Sequence, residues 1–168
     1  MFDSQDQYSE QLVKGKAGGG EISKIVIAAL VITAGMVVTT MTGLGLFVIA
    51  GGIAFLIYSI RAMKFEYEYI IVNGDIDLTK IIAMQKRKPL RSIPQDSITA
   101  MDRADSAKTK NDLEVGDCDV YDYTDGTEES PVYAIYTVNK GKTEIHLLQL
   151  SEKSLEQMKF VLKKRSLI

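Results

Sequence analysis

The stretch Ile25–Ile60, IVIAALVITAGMVVTTMTGLGLFVIAGGIAFLIYSI, runs for 36 residues without a charged side chain. As one continuous helix it would be roughly 54 Å long, far more than a bilayer hydrocarbon core of roughly 30 Å requires. The run must therefore turn back on itself. The turn is written at its centre, where Thr39, Thr40, Met41, Thr42, Gly43, Leu44 and Gly45 replace the aliphatic residues with small, polar and flexible ones. Two membrane helices are expected, about Ile22–Thr40 and about Leu44–Ala62, each close to the roughly 20 residues of a span. A cleaved secretory signal would carry a single apolar stretch of roughly 7–15 residues. A buried hairpin of a soluble protein would carry a polar face, and no face here has one.

Basic residues set the expected orientation. Lys14, Lys16 and Lys24 precede the first span, Arg61 and Lys64 follow the second, and the turn between has none. By the positive-inside rule both termini belong in the cytoplasm, and a single cysteine, Cys118, suits a reducing compartment. Within the hairpin the polar side chains are Thr33, Thr39, Thr40, Thr42, Tyr58 and Ser59, with no acid, base or histidine. Pumps and coupled transporters place ionisable groups at depth, so this hairpin reads as an anchor. Ala50, Gly51 and Ala54 are its candidate packing positions, with Ala50 and Ala54 at the small-xxx-small spacing that lets helices approach closely. Such packing joins either the two helices of one chain or the hairpins of two protomers.

Composition hides two unlike parts. The chain of 168 residues is 46% hydrophobic with a mean hydropathy of +0.02, as in an average globular protein, because a membrane segment is averaged with a polar domain. The part after the hairpin, 63–168, is long enough for one small domain with its own core. A net charge of −2 argues against a nucleic-acid partner, which calls for a strong basic excess. One histidine, one cysteine and no tryptophan leave little material for a metal site or a nucleophilic dyad. No cofactor, metal or catalytic residue is expected, and the chain reads as no enzyme.

The segment 1–21 reads as a cytoplasmic tail ending in a hinge at Gly18, Gly19 and Gly20. Tyr8 and Leu12, four apart, would share one face of a short helix from about Asp6 to Lys16 lying along the headgroups; a frayed tail is the alternative. The hairpin occupies 22–62. Beyond it Phe65, Tyr67 and Tyr69 alternate with Glu66 and Glu68, the period of a half-buried strand. Asn73-Gly74 then gives a hairpin turn, and Asp75–Ile82 returns as the second strand. A third strand closes at Ser92 and Ile93, with Pro89 expected to end it early, and Ile98–Met101 forms a fourth. Val120, Tyr121 and Tyr123 suggest a strand closed by Asp125-Gly126. Val132–Val138 and Thr143–Leu150 form a hairpin around Asn139-Lys140-Gly141-Lys142. A last helix is capped at Ser151 or Ser154, with Ser154 and Gln157 at capping-box spacing. Leu155, Met158, Val161 and Leu162 form its buried stripe, and Lys163, Lys164 and Arg165 its cationic last turn.

Two charge clusters stand out. Lys86, Arg87, Lys88 and Arg91 follow soon after the membrane exit, and polybasic groups beside an anionic leaflet contribute roughly 1 kcal/mol each. They are the candidate lipid-binding residues; a solvated turn that reinforces topology is the plainer reading. Between Asn111 and Asn139 stand eight acids and no base: Asp112, Glu114, Asp117, Asp119, Asp122, Asp125, Glu128 and Glu129. Their spacing does not fit an EF-hand loop, because Tyr121 falls where an oxygen ligand is needed. A solvated acidic surface fits better, directed towards cytosol or a basic partner. His146, alone in a predicted strand, reads as structural, and Cys118 lacks a base that would activate it.

The order of about seven short strands and one C-terminal helix resembles pleckstrin-homology-like domains. The fold class expected is thus α+β: a two-helix transmembrane hairpin followed by an antiparallel β-sandwich or barrel with a C-terminal helix. The residues Glu10-Gln11-Leu12-Val13-Lys14 before the hairpin, then Glu66-Tyr67-Glu68-Tyr69, Asn73-Gly74-Asp75, Lys80-Ile81-Ile82 and Lys86-Arg87-Lys88 resemble an uncharacterised family of two-span membrane proteins from Gram-positive bacteria. That resemblance is best up to Ile98. It implies a bacterial plasma-membrane location and a pleckstrin-homology-like fold, and brings no site residues to carry over. Two functions follow as expectations: a membrane-anchored module binding anionic headgroups of membrane lipids, or a protein-interaction scaffold that homo-oligomerises through the hairpin and binds a partner, such as a membrane protein, on its cytoplasmic domain.

Overall fold

The computed structural model describes residues 8–16, 18–127 and 130–164. They divide into two compact units, one made of the described parts of Met1–Gly15, Glu66–Ile81 and Arg87–Ile168, the other of Lys16–Phe65 with Ile82–Lys86. In chain order the elements are β1 (Tyr8–Lys14), α1 (Gly19–Met41), α2 (Gly45–Met63), β2 (Phe65–Val72), β3 (Asp75–Ile82), β4 (Lys86–Ile93), a 3₁₀ turn at Gln95–Ser97, β5 (Ile98–Arg103), α3 (Ala107–Val115), β6 (Asp119–Asp122), β7 (Val132–Asn139), β8 (Lys142–Gln149) and α4 (Glu152–Lys164).

The hairpin has the expected form, two helices long and apolar enough to span a membrane. What differs is the packing residue. A Cβ on Gly52 would come within 2.7 Å of Ile32 Cγ1, one on Gly35 within 2.8 Å of Ile49 Cγ1, and one on Gly45 would overlap Thr39. Ala28 and Ser59 are buried in the same contact. Gly45, Gly52 and Ser59 recur every seven residues, as do Ala28 and Gly35, which is the repeat that keeps one seam between two helices. Gly51 faces open space, and Ala50 and Ala54 are exposed. The expected trio of Ala50, Gly51 and Ala54 is therefore not the seam within the chain; it lies one step round the helix from it.

The β-unit consists of two four-stranded sheets, β1-β2-β3-β4 and β5-β7-β8-β6, and is not a closed barrel. It has eight strands, and the extra one is β1. The residues read as a short helix or tail pair with the length of β2, from Tyr8 opposite Val72 to Lys14 opposite Glu66. In a strand Ser9 and Val13 turn inward while Tyr8 and Leu12 stay exposed. The helical spacing of Tyr8 and Leu12 was outweighed by a partner nearly sixty residues away. Asp6, where that helix was to start, lies outside the described residues. The Asn73-Gly74 turn forms as expected, with both residues at positive φ. Gly74 also lies against α4, since a Cβ there would reach Val161 Cγ1 at 2.7 Å.

Three more expectations change. Pro89 does not end β4, because β4 is an outer strand of its sheet and a missing N–H on the free edge breaks no ladder. β6 runs parallel to β8, so the second sheet is mixed. Ser151 alone caps α4, its hydroxyl accepting from the Ser154 N–H at 3.3 Å, while the Gln157 Oε1 has no partner, so the capping box is absent. Arg165, placed in the last turn of α4, lies outside the described residues. Helix α3 had no counterpart in the expectations. It is capped by Ser106, whose hydroxyl accepts from the Thr109 N–H, and it ends at Gly116 in the left-handed conformation.

One core joins the sheets. Val13, Tyr69, Ile71, Ile76, Leu78 and Ile93 meet Ile98, Met101, Tyr133, Ile135 and Leu148 of the second sheet, and Met158 and Leu162 of α4 close one side. Around α4 the polar groups are shared with β1: the Ser9 and Ser154 hydroxyls are 2.6 Å apart, and Gln11 donates to Gln149 O and accepts from Ser151 N.

Two outcomes are expected. Gly52→Leu overpacks the hairpin seam and lowers thermal stability of the detergent-solubilised chain by about 1–3 kcal/mol, whereas Gly51→Leu changes it little. Replacing residues 15–65 by an Asn-Gly turn, which fits the pairing of Lys14 with Glu66, is expected to give a soluble, monomeric protein that unfolds cooperatively. Aggregation of that variant would mean that β1 does not complete the sheet.

Candidate functional site

The four basic residues of the candidate site lie on β4, but they are not equivalent. The Arg87 guanidinium pairs with the buried Glu68 carboxylate at 3.1 Å. Arg91 pairs with Glu144 of β8, and its guanidinium carbon lies 4.5 Å from the centre of the Tyr121 ring. Lys86 and Lys88 are exposed. Lys86 also belongs to the unit of the membrane hairpin, while the other three belong to the β-unit. The cluster therefore separates into two arginines with acidic partners, of which Arg87 remains largely exposed and Arg91 does not, and two exposed lysines.

Arg91 leads into a buried polar group. Glu144 accepts from Arg91 and from Asn139 Nδ2 at 3.1 Å. His146, two residues along β8, is wholly buried and shares a 3.1 Å hydrogen bond with Thr137 Oγ1 through Nε2. Its other ring nitrogen has no partner. The ring is stacked against Tyr121 at 5.3 Å between centroids, and near Tyr123 at 6.3 Å. Burial, and next the Arg91 charge, push the His146 pKa down to about 4, with Glu144 opposing. At neutral pH it is a neutral, packed imidazole, as its isolation in the sequence suggested. A small cavity of about 210 Å³ opens beside Arg91, Glu144 and His146.

The acidic stretch is used mainly for local structure. Asp119 pairs with Lys142 at 2.7 Å. Asp122 and Asp125 accept from backbone N–H groups two residues on, at Thr124 and Thr127, and Gln149 donates to Asp125. Among the described residues no three His, Cys, Asp or Glu side chains converge on one point; Glu128 and Glu129 lie outside those residues. Asp112 instead accepts from the Tyr136 hydroxyl at 3.0 Å and so ties α3 to β7. A groove of about 520 Å³ runs beside α3, lined among others by Lys108, Asp112, Val115, Cys118 and Tyr136. Burial pushes the Cys118 thiol up, which keeps it protonated and unreactive at neutral pH. Tyr69, Tyr133 and Tyr136 are core residues, and Tyr67 packs against the core.

The role of Arg91 could not be read from its neighbours in sequence, because its partner is 53 residues away. The only signal was indirect: an acid at Glu144 in a strand otherwise bound for the core.

His146 makes stability depend on pH. Its folded pKa lies below the ordinary value of 6.5, so the unfolded state binds the extra proton. Stability is complete above about pH 6.5 and falls as pH drops towards 4, by up to about 3 kcal/mol. Chemical denaturation across that range is expected to show a shallower pH slope for His146→Gln than for the parent chain. Arg91→Ala leaves Glu144 buried with a neutral partner. Breaking a buried pair costs roughly 3–5 kcal/mol, and the partial exposure of Arg91 places its loss near the low end; denaturation without any lipid measures it.

No curated protein and no solved structure matches this chain. A family does: the sequence matches the family described as Bacterial PH-like domain (DUF6106) over residues 5–167. That match takes in β1, the hairpin, both sheets and α4 together, so the membrane segment lies inside the family's extent and is no appendage to it. With two four-stranded sheets closed by a C-terminal helix and a two-span hairpin between its first two strands, this chain belongs to the bacterial PH-like domain family.

Proposed function

We propose that this protein is a non-enzymatic binding module held at the cytoplasmic face of the bacterial plasma membrane, and that it engages anionic lipid headgroups through β4. The observation that carries this reading is the exposure of Lys86 and Lys88 within 25 residues of the end of α2, on an outer strand whose edge is free of a neighbour in its sheet. Two lysines beside an anionic leaflet contribute roughly 2 kcal/mol together. Arg87 and Arg91 support the strand through Glu68 and Glu144 and add to the local positive field; the Arg87 side chain is mostly exposed, whereas that of Arg91 is largely covered. PH-like folds typically bind without catalysing, and the buried His146 and protonated Cys118 supply no nucleophile or base within reach of solvent.

A second reading rests on a different observation. The groove beside α3 exposes Val115 by 68% next to Lys108 and Asp112, a mixture of apolar floor and charged rim common at protein contacts. In that reading the module is an assembly scaffold that binds a protein partner on its β-unit, and the hairpin oligomerises through the outward face bearing Gly51 and Ala54.

Flotation with neutral and anionic vesicles distinguishes the two readings, using the chain whose residues 15–65 are replaced by a turn. Salt-sensitive binding to anionic vesicles alone is expected, weakened about 10–30-fold by Lys86→Gln with Lys88→Gln. Absence of binding to either vesicle would discard the lipid reading and leave the protein contact.

A further inference from the structure

The turn between β3 and β4 is made from residues poorly suited to it. Ile82 C=O accepts from the Gln85 N–H at 3.1 Å, and both central residues have positive φ, Ala83 at 52° and Met84 at 58°. Turns of this hand favour Asn or Gly because a Cβ is crowded there. The other two β-hairpin turns among the described residues comply, with Gly74 and Gly141 at their second central position. Here that position holds Met84, which is 86% exposed, more than any other large apolar residue among those described. A strained backbone that presents an apolar tip to solvent points to a use for the tip.

The surroundings of the turn indicate what the tip meets. The Ala83 N–H donates to Lys64 C=O at 2.8 Å, and Lys64 is the C-cap that follows the last residue of α2. The turn and the hairpin form one compact unit. The 19 residues of α2 rise about 28 Å, nearly the whole hydrocarbon thickness, so its last residue stands at the boundary between acyl chains and headgroups. Ala83 is bonded at that level and Met84 is its neighbour. Arg61, Lys64 and Lys86, in the same unit, supply cations where lipid phosphates lie.

We propose that Met84 inserts into the headgroup–acyl boundary of the leaflet from which α2 emerges, making the β3–β4 turn a third, shallow contact of this chain with the bilayer. The occupant is lipid: the flexible thioether side chain fits a disordered acyl boundary better than a shaped protein pocket. The proposal rests on the hairpin spanning the membrane, and not on headgroup binding by β4.

The test uses the full chain in liposomes in a Cys118→Ser background, with Gln85→Cys carrying an environment-sensitive fluorophore and Met84 retained. Nitroxide placed just below the headgroups is expected to quench the probe at least twofold, with little quenching by aqueous iodide. Met84→Asp in the same protein is expected to reverse that ranking, with its thermal unfolding recorded to show that the fold persists. A probe open to iodide and insensitive to nitroxide would overturn the proposal. So would protection from both, which would mean burial against protein, and so would a ranking unchanged by Met84→Asp. A second probe at Phe55→Cys separates the premises. If it is quenched by lipid nitroxide, the spanning hairpin stands whatever the turn does; if it is not, the hairpin reading fails and the proposal with it.

Discussion

The ladder between β1 and β2 is the constraint on which the rest of this molecule depends. Lys14 and Glu66 are direct partners in it, about 5 Å apart as antiparallel neighbours are. The 51 residues between them must leave that point and return to it. A chain that crosses a bilayer an odd number of times cannot do so, and two spans are the smallest number that can. The apolar composition of α1 and α2 and the geometry of a sheet thus require the same topology for unrelated reasons.

Within the sandwich, one ion pair links the two sheets. Arg91 crosses from one sheet to Glu144 of the other and covers Tyr121, while Asn139 donates to Glu144 and the nearby Thr137 and His146 bond to each other. A buried arrangement of this kind contributes little net stability over an apolar substitute, but it is costly to break from one side. Tyr69 behaves similarly in the core: its hydroxyl donates to Tyr123 O at 2.6 Å, and burial raises its pKa, so it stays a neutral donor at any physiological pH.

The legible parts of this fold were those encoded by neighbours in sequence. The hairpin was written in uncharged residues, the β2–β3 turn in Asn73-Gly74, the β7–β8 pair in β-branched runs, and α4 in the spacing of Leu155, Met158, Val161 and Leu162. Distant partners concealed the rest. The inner face of β1 carries Ser9, Gln11 and Val13, with one apolar residue among them, too little to announce a strand, and it is held by a ladder to β2. Helix α3 is almost wholly polar, so it has no apolar stripe; only Ser106 and Gly116 at its ends signalled it. The choice of Gly52 over Gly51 at the seam was hidden because a run of small residues does not state its own helical phase. For the candidate site, the exposure of the two lysines followed the sequence, whereas the engagement of the two arginines depended on acids that only the folded chain brings near.

The placement of the hairpin inside the sheet also bears on biosynthesis. β1 leaves the ribosome first, and its partner strand follows only after the whole apolar segment has been made. At about 5–20 residues per second, the 51 intervening residues keep β1 waiting roughly 3–10 s. During that interval α1 and α2 must be handed to the insertion machinery, since Lys14 and Glu66 can meet only once both helices have entered the bilayer from one side. Closure of the first sheet is therefore coupled to membrane integration: a chain that fails to insert also fails to pair β1 with β2, and is left with an unpaired strand edge.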